Sequence, residues 1–208
     1  MSHDSFNNYF TQFGLPPHLH IDLKVLETAF YAQSRKLHPD RFASKPQAEQ
    51  DAALAASSQL NDAYRTLRDR IARTEYLLSL EGVQMEEQSR AATDAAKANG
   101  TEKKQVAPPD LLEEAFELNM QLEEMRMAKK MGEDDPQTRK DLEQAQQHFT
   151  AMLAESQQQL EALWTKWDAG VDANNATAKD SAKDAMVALL NRRSYIRNLV
   201  RDVNEALE

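Results

Sequence analysis

Three consecutive residues, His38-Pro39-Asp40, set an imidazole and a carboxylate on either side of a residue with a fixed backbone angle. Histidine changes charge near neutral pH and aspartate does not, so the pair offers one switchable and one lasting hydrogen-bonding group. Such a pair could serve acid–base chemistry or grip a cationic group of a partner. Catalysis would need more around it, and the sequence holds no glycine-rich phosphate loop, no Ser/His/Asp spacing and no catalytic carboxylate pair. His18 and His20 are the other imidazoles that could act together. With no cysteine in the chain and no nearby carboxylate pair they make a poor metal site, and they read as a polar loop after Pro16-Pro17. His148 falls between an apolar arc and solvent and reads as a boundary residue. Taken alone, His-Pro-Asp is also ordinary turn chemistry. The segments that present it decide between these readings.

Residues 22–37 form an amphipathic helical segment with Asp22 as N-cap. Leu23, Leu26, Phe30 and Leu37 follow the three-and-four spacing of a buried stripe, while Lys24, Thr28, Tyr31 and Arg35 fall on the solvent side. Proline lacks a backbone N–H and pushes the preceding residue out of helical geometry, so this helix stops near Leu37. A second helix is expected to open with the Ser44/Gln47 capping-box spacing, with Pro46 in its first turn. Its stripe is Ala53, Ala56, Leu60, Ala63, Tyr64 and Leu67. The two helices pack as an antiparallel hairpin, and Ile71 to Leu80 adds a short helix ended by Gly82. His38 and Asp40 then project from an exposed tip. Arg35, Lys36 and Arg41 surround it with positive charge in an otherwise acidic chain, which suits docking to a protein better than catalysis.

From Asn8 to Gly82 the sequence resembles a J-domain, the module that stimulates ATP hydrolysis by DnaK-type chaperones. The residues that carry the resemblance are Tyr9-Phe10, Phe13-Gly14-Leu15, Leu37 through Phe42, and Asn61-Asp62-Ala63-Tyr64-Arg65-Thr66-Leu67. The stretch from Arg73 to Gly82 is similar to the J-type co-chaperones of iron–sulfur cluster assembly, the HscB family, rather than to general J-proteins. General J-proteins continue into a Gly/Phe-rich linker and cysteine-rich zinc repeats; a chain with no cysteine and five glycines has no such continuation.

At 208 residues the chain has room for one or two small domains. Aromatic content of 7% and few glycines fit an all-helical protein. Net charge is −9, carried unevenly: the first 109 residues have 13 basic and 14 acidic side chains, the remainder 12 and 20. That acidic second half would repel a phosphate backbone, which argues against nucleic-acid binding. No apolar run approaches membrane-spanning length, and no basic residue precedes Lys24, so neither a membrane span nor a targeting peptide is expected. The absence of cysteine excludes disulfides and thiolate ligands. It also departs from the N-terminal cysteine metal site of some eukaryotic relatives, so the chain reads as a bacterial-type cytoplasmic protein without cofactor or metal.

The fold expected is all-α: a J-domain over residues 1–82, a linker over 83–109 and a C-terminal three-helix bundle over 110–208. The linker lacks a sustained stripe and ends in Pro108-Pro109. In the bundle, Leu111, Ala115, Leu118, Leu122 and Met125 mark a core face. Leu112, Phe116, Met120 and Met127 form a second apolar arc roughly 140° away. Leu142, Phe149, Met152, Leu153, Leu160, Leu163 and Trp167 stripe the next helix, after Asp135-Pro136. Ile196, Leu199, Val203 and Leu207 stripe the last, with Tyr195 at its edge. The second arc either packs on the N-terminal domain or linker, or stays open as an interaction face, for which methionine is suited.

The family resemblance implies the latter: in HscB-like proteins this face holds IscU, the scaffold on which the cluster is built. Carried over by sequence, Leu112, Phe116 and Tyr195 fall at apolar scaffold-contacting positions and Glu117 at an acidic one, with Met120 on the same face. Glu113 and Met120 exchange apolar and acidic character relative to the family's pattern. The expected function is therefore a non-enzymatic co-chaperone. It would dock an HscA-like, DnaK-type chaperone through His38, Pro39, Asp40, Arg35, Lys36 and Arg41, and deliver an IscU-like scaffold to it. Two alternatives remain from the residues alone: a J-protein for a different client, and a non-catalytic helical structural or adaptor protein.

Overall fold

A computed structural model of the chain describes residues 8–83, 107–133 and 135–208; most of the expected linker lies outside the described residues. All regular elements among the described residues are helical. They are α1 (Tyr9–Gln12), α2 (Leu23–Leu37), α3 (Gln47–Arg68), α4 (Arg70–Leu80), α5 (Leu112–Met131), α6 (Pro136–Asp172) and α7 (Ala176–Leu207), with 3-10 turns at Pro39–Arg41 and Pro109–Leu111. The chain divides into two compact units. One joins Met1–Met85 with Trp164–Lys183; the other joins Glu86–Leu163 with Asp184–Glu208.

In the first unit, local chemistry sets each helix end. Asn8 and Thr11 make a reciprocal capping box at α1. The Asp22 carboxylate accepts from the N–H groups of Lys24 and Val25 and starts α2. The helix stops at His38, whose extended backbone is what the following proline demands. Asp69 ends α3 and caps α4 by accepting from Ala72 N–H at 2.8 Å, which splits one apolar run into two helices. α2 and α3 pack on one another through Leu26, Leu60, Ala63 and Leu67, with Phe30 stacked on Tyr64 at 4.2 Å. α1 is held by Phe10 in the core and by Tyr9, whose ring stacks on Tyr76 at 4.3 Å while its N–H donates to the Tyr76 hydroxyl.

Two local expectations fail. Leu23 is exposed, because it lies in the first turn of α2, before the helix reaches α3. Ser44 caps nothing: Pro46 takes the N-cap position in an extended conformation, and α3 begins one residue later.

Residues 164–183 were read from sequence as part of the C-terminal bundle, yet they group with the N-terminal helices. They comprise the end of α6, the beginning of α7 and the turn between them. Gly170 lets the two helices close at this turn, since a Cβ there would meet Lys179 atoms at 3.1 Å. Trp164, absent from the expected stripe, is buried here; its spacing from Leu160 and Trp167 is helical and could have revealed it.

The second unit buries one stripe from each of α5, α6 and α7. Its core holds Leu111, Ala115, Leu118, Leu122 and Met125 with Leu142, Phe149, Ile196, Leu199 and Val203. α5 ends at Gly132, whose φ of 72° is the left-handed cap. Asp135 opens α6 by accepting from the N–H groups of Gln137 and Thr138 and the Thr138 hydroxyl, with Pro136 at the first helical position. The carbonyls at the end of α7 are met by cations: Lys129 Nζ donates to Ala206 O at 2.8 Å and an Arg139 NH2 group to Leu207 O at 3.2 Å.

Candidate functional site

The His38-Pro39-Asp40 triplet caps the α2 end of the hairpin as a tight turn. Pro39–Arg41 is a single 3-10 turn closed by Arg41 N–H donating to His38 O at 3.0 Å. The His38 Nδ1 lies 3.3 Å from the Asp40 amide nitrogen and 3.4 Å from Asp40 Oδ2. It can serve only one of them at a time. Neutral, with its lone pair there, it accepts from the amide; protonated, it faces the carboxylate. The Asp40 side chain is 89% exposed and, among the described residues, meets no cation other than that imidazole. Arg35, Lys36 and Arg41 are exposed around it. Arg41 donates weakly to the Arg35 carbonyl at 3.4 Å, and among the described residues none of the three pairs with a carboxylate. Arg35 and Lys36 also sit in the last turn of α2, where the helix dipole favours cations.

In the second unit, Leu112, Phe116 and Met120 are exposed on the outer face of α5, Phe116 at 66%. The same face continues through Met127 to Met131, a ridge of large apolar side chains with Glu113, Glu117 and Glu124 exposed along its edge. Among the described residues, then, the second arc is exposed. Tyr195 differs in burial. It is half-buried and packs against the unit's core, and burial, helped by Asp202, raises its phenol pKa. Beside the ridge a groove of about 410 Å³ runs between α5 and α6, over Leu118 and Phe149, with Glu117 and Asp141 on its rim. His148 Nε2 lies 2.9 Å from Glu114 Oε2 in the same groove, so the residue read as a boundary position is an exposed pairing group.

His18 and His20 do not lie in a free loop. Each meets an aspartate of α6: His18 Nε2 is 3.0 Å from Asp172 and His20 Nδ1 is 2.9 Å from Asp168. Sequence inspection could not supply these partners, which are about 150 residues away. Among the described residues no group of three or more His, Asp or Glu converges to hold a metal ion, and no helix is long and apolar enough to cross a membrane.

No family model matches the sequence. Among solved structures, the chaperone HscB from Vibrio cholerae is 26% identical, with 96% of each chain covered and a TM-score of 0.59. The human co-chaperone protein HscB is 19% identical, with 99% of this chain and 84% of that one covered and a TM-score of 0.57. Over nearly its whole length, then, this chain has the all-α architecture of the HscB chaperones, the family its motifs resemble.

Proposed function

We propose that this chain is a J-type co-chaperone that stimulates the ATPase of a DnaK-type, HscA-like chaperone and delivers an IscU-like iron–sulfur scaffold protein to it for cluster transfer. In this reading residues 1–82 are the chaperone-docking domain, 83–109 a linker and 110–208 the scaffold-holding domain. One observation carries it: a helical hairpin ends in a carboxylate, Asp40, held out to solvent, with three exposed cations beside it. A solvent-facing carboxylate met only by one weak imidazole contact among the described residues is suited to take a charge-assisted bond from an arginine of another protein. Arg35, Lys36 and Arg41 supply the complementary attraction for an acidic patch and speed the encounter.

The apolar ridge of α5 is the surface for the client. Leu112, Phe116 and Met120 provide area that water solvates poorly, and Glu117 adds a charge at the edge. The half-buried Tyr195 adds an aromatic contact for the client. Holding the client on the same chain that docks the chaperone raises its effective concentration there, so hydrolysis occurs where the client is. The bond-making chemistry belongs to the chaperone; this chain biases the chaperone's conformational equilibrium.

The test is steady-state ATP turnover by an HscA-like chaperone, titrated with this protein in the presence and absence of an IscU-like scaffold. The expected result is stimulation by the chain alone and further stimulation with scaffold. Stimulation without any scaffold binding in calorimetry would assign the chain to another client. The lack of both would leave an adaptor with no ATP-dependent partner.

A further inference from the structure

Residues 17–20 run as a strap across one face of α6, and the contacts that hold it are mostly directional. The Asp168 carboxylate accepts from two successive backbone N–H groups, Leu19 at 2.7 Å and His20 at 2.9 Å, and also meets the His20 ring. The Trp167 indole N–H donates to Pro17 O at 3.3 Å, and His18 reaches Asp172. Between these polar fastenings the Leu19 side chain is fully buried. On the far flank Trp164 donates to the Thr74 hydroxyl at 2.9 Å, meets the edge of His20 and lies under the Arg73 guanidinium at 4.9 Å. Arg73 is itself buried, bonded to Leu67 O, with its Nε unpartnered. Desolvation lowers its pKa to about 10.

A seam of this kind differs from the hairpin core beside it. The α3–α4 core closes through Leu60, Leu67, Leu77 and Leu78, which have no solvent-reachable fastening to lose. The strap depends on a few hydrogen bonds and one apolar plug, and the His20 and Asp172 side chains at its edges are more than half exposed. Segments with few buried apolar contacts and exposed hydrogen bonds open at lower free energy than the core. The strap also feeds directly into Asp22, the N-cap of α2, the helix that carries Arg35 and Lys36 and ends at His38.

We propose that residues 17–20 form a strap that opens from the Trp164–Asp168 face as a unit, ahead of the unfolding of α3 and α4, and that its closed state anchors the start of the helix leading to the His-Pro-Asp tip. A partner that grips α2 in its anchored form tightens the strap, and strap opening lowers that partner's apparent affinity by the closed fraction. The inference rests on the contacts alone and stands whether or not the partner is a chaperone.

The chain has two tryptophans, and both touch the strap: Trp167 donates to Pro17 O and Trp164 meets the His20 ring. Native-state hydrogen exchange and acrylamide quenching of tryptophan emission in the full-length protein therefore test it directly. The Leu19 and His20 amides are expected to exchange well before those of Leu67 and Leu77. Asp168→Asn, which removes the charge from the double acceptor, should speed exchange of those two amides about tenfold or more. It should also raise quenching, with Leu67 and Leu77 unchanged. Asp172→Asn, on the exposed rim, gives a smaller shift of the same kind and keeps the test open if Asp168→Asn fails to fold. Exchange of Leu19 and His20 in step with Leu67 and Leu77, in the unsubstituted protein or in the variants, would overturn the proposal, since the strap would then be ordinary core.

Discussion

The hairpin tip at 38–40 and the outer face of α5 are both left open to solvent, by opposite means. At the tip the unfinished business is charge. Asp40 faces water with one weak imidazole contact, and the neighbouring cations meet no carboxylate among the described residues. On α5 it is apolar area: Leu112, Phe116, Met120, Met127 and Met131 stand exposed along one helix whose opposite side is fully buried. Exposed charge costs a folded protein almost nothing, because water solvates it. Exposed phenylalanine and methionine in a continuous ridge forgo burial that folding could have claimed. The tip can therefore be changed with little effect on folding and reads mainly in partner assays. The ridge adjoins a core, so neighbouring residues of one helix should separate cleanly into those that hold the fold and those that do not.

The largest expected effect on ATPase stimulation tests the tip. Asp40→Asn keeps the size and one acceptor oxygen of the side chain and removes its charge. Stimulation of an HscA-like ATPase should fall by about tenfold or more, the scale of a lost charge-assisted bond. Thermal stability should stay within about 0.5 kcal/mol, as for surface substitutions in general. Retained stimulation in the turnover assay would remove the tip from the mechanism and leave the comparison one-sided.

The next effect divides α5 along its length. Leu118→Ala, at a position 2% exposed, should lower stability by about 2–5 kcal/mol in chemical denaturation. Phe116→Ala, two residues earlier and 66% exposed, should change it by less than about 0.5 kcal/mol. Its effect belongs in calorimetry with the scaffold, as an affinity loss of about tenfold or more if it is a central contact. Tyr195→Ala, from a half-buried side chain, should lower both. If Phe116→Ala leaves scaffold affinity unchanged, the ridge is not the client surface.

The same two regions show what could be read from sequence. The hairpin was legible because its signals are local: Asp22 caps within three residues, Pro39 stops the preceding turn, and the stripe from Ala53 to Leu67 repeats at helical spacing. The two arcs of α5 were legible from angle alone, and packing left open the one without facing helices. Local signals also misled where a neighbour overrode them. Ser44 had the spacing of a cap, but Pro46 placed extended backbone between it and α3. What sequence could not give is the partnership of His20 with Asp168 and of Thr74 with Trp164, at separations of 148 and 90 residues. Such pairs repeat with no period, so nothing in either segment announces the other. Two histidines dismissed for lack of nearby carboxylates had carboxylates brought to them by the fold.

A smaller effect belongs to the cap that starts α2. Asp22→Ala removes the acceptor for two N–H groups and should cost about 1 kcal/mol of stability. Asp22→Asn should recover most of it, because an amide oxygen also caps. Exchange of the Lys24 and Val25 amides reports the change where it occurs. If the strap fastens this end independently, the loss stays within the first turn and ATPase stimulation is nearly unaltered.

The smallest effect tests how the ridge-bearing helix is pinned at its own start. Arg192 Nε donates to Asp110 Oδ2 at 2.8 Å, tying the 3-10 turn before α5 to α7. That hydrogen bond, with the charge of Arg192, holds the Asp110 carboxyl below its usual pKa of 3.8. A carboxyl depressed in the folded state contributes stability that is complete above its unfolded pKa and is lost as pH falls through the folded value. The Asp110 side chain is 55% exposed, so solvent screening limits the contribution to about 0.5 kcal/mol or less. Arg192→Gln should therefore lower stability slightly at neutral pH and match the unsubstituted protein at pH values well below 3.8. A deficit that persists undiminished into acid would mean that Arg192 acts by packing its aliphatic stem rather than by its charge. The pinning of α5 would then resemble the apolar ridge it supports more than the charged tip.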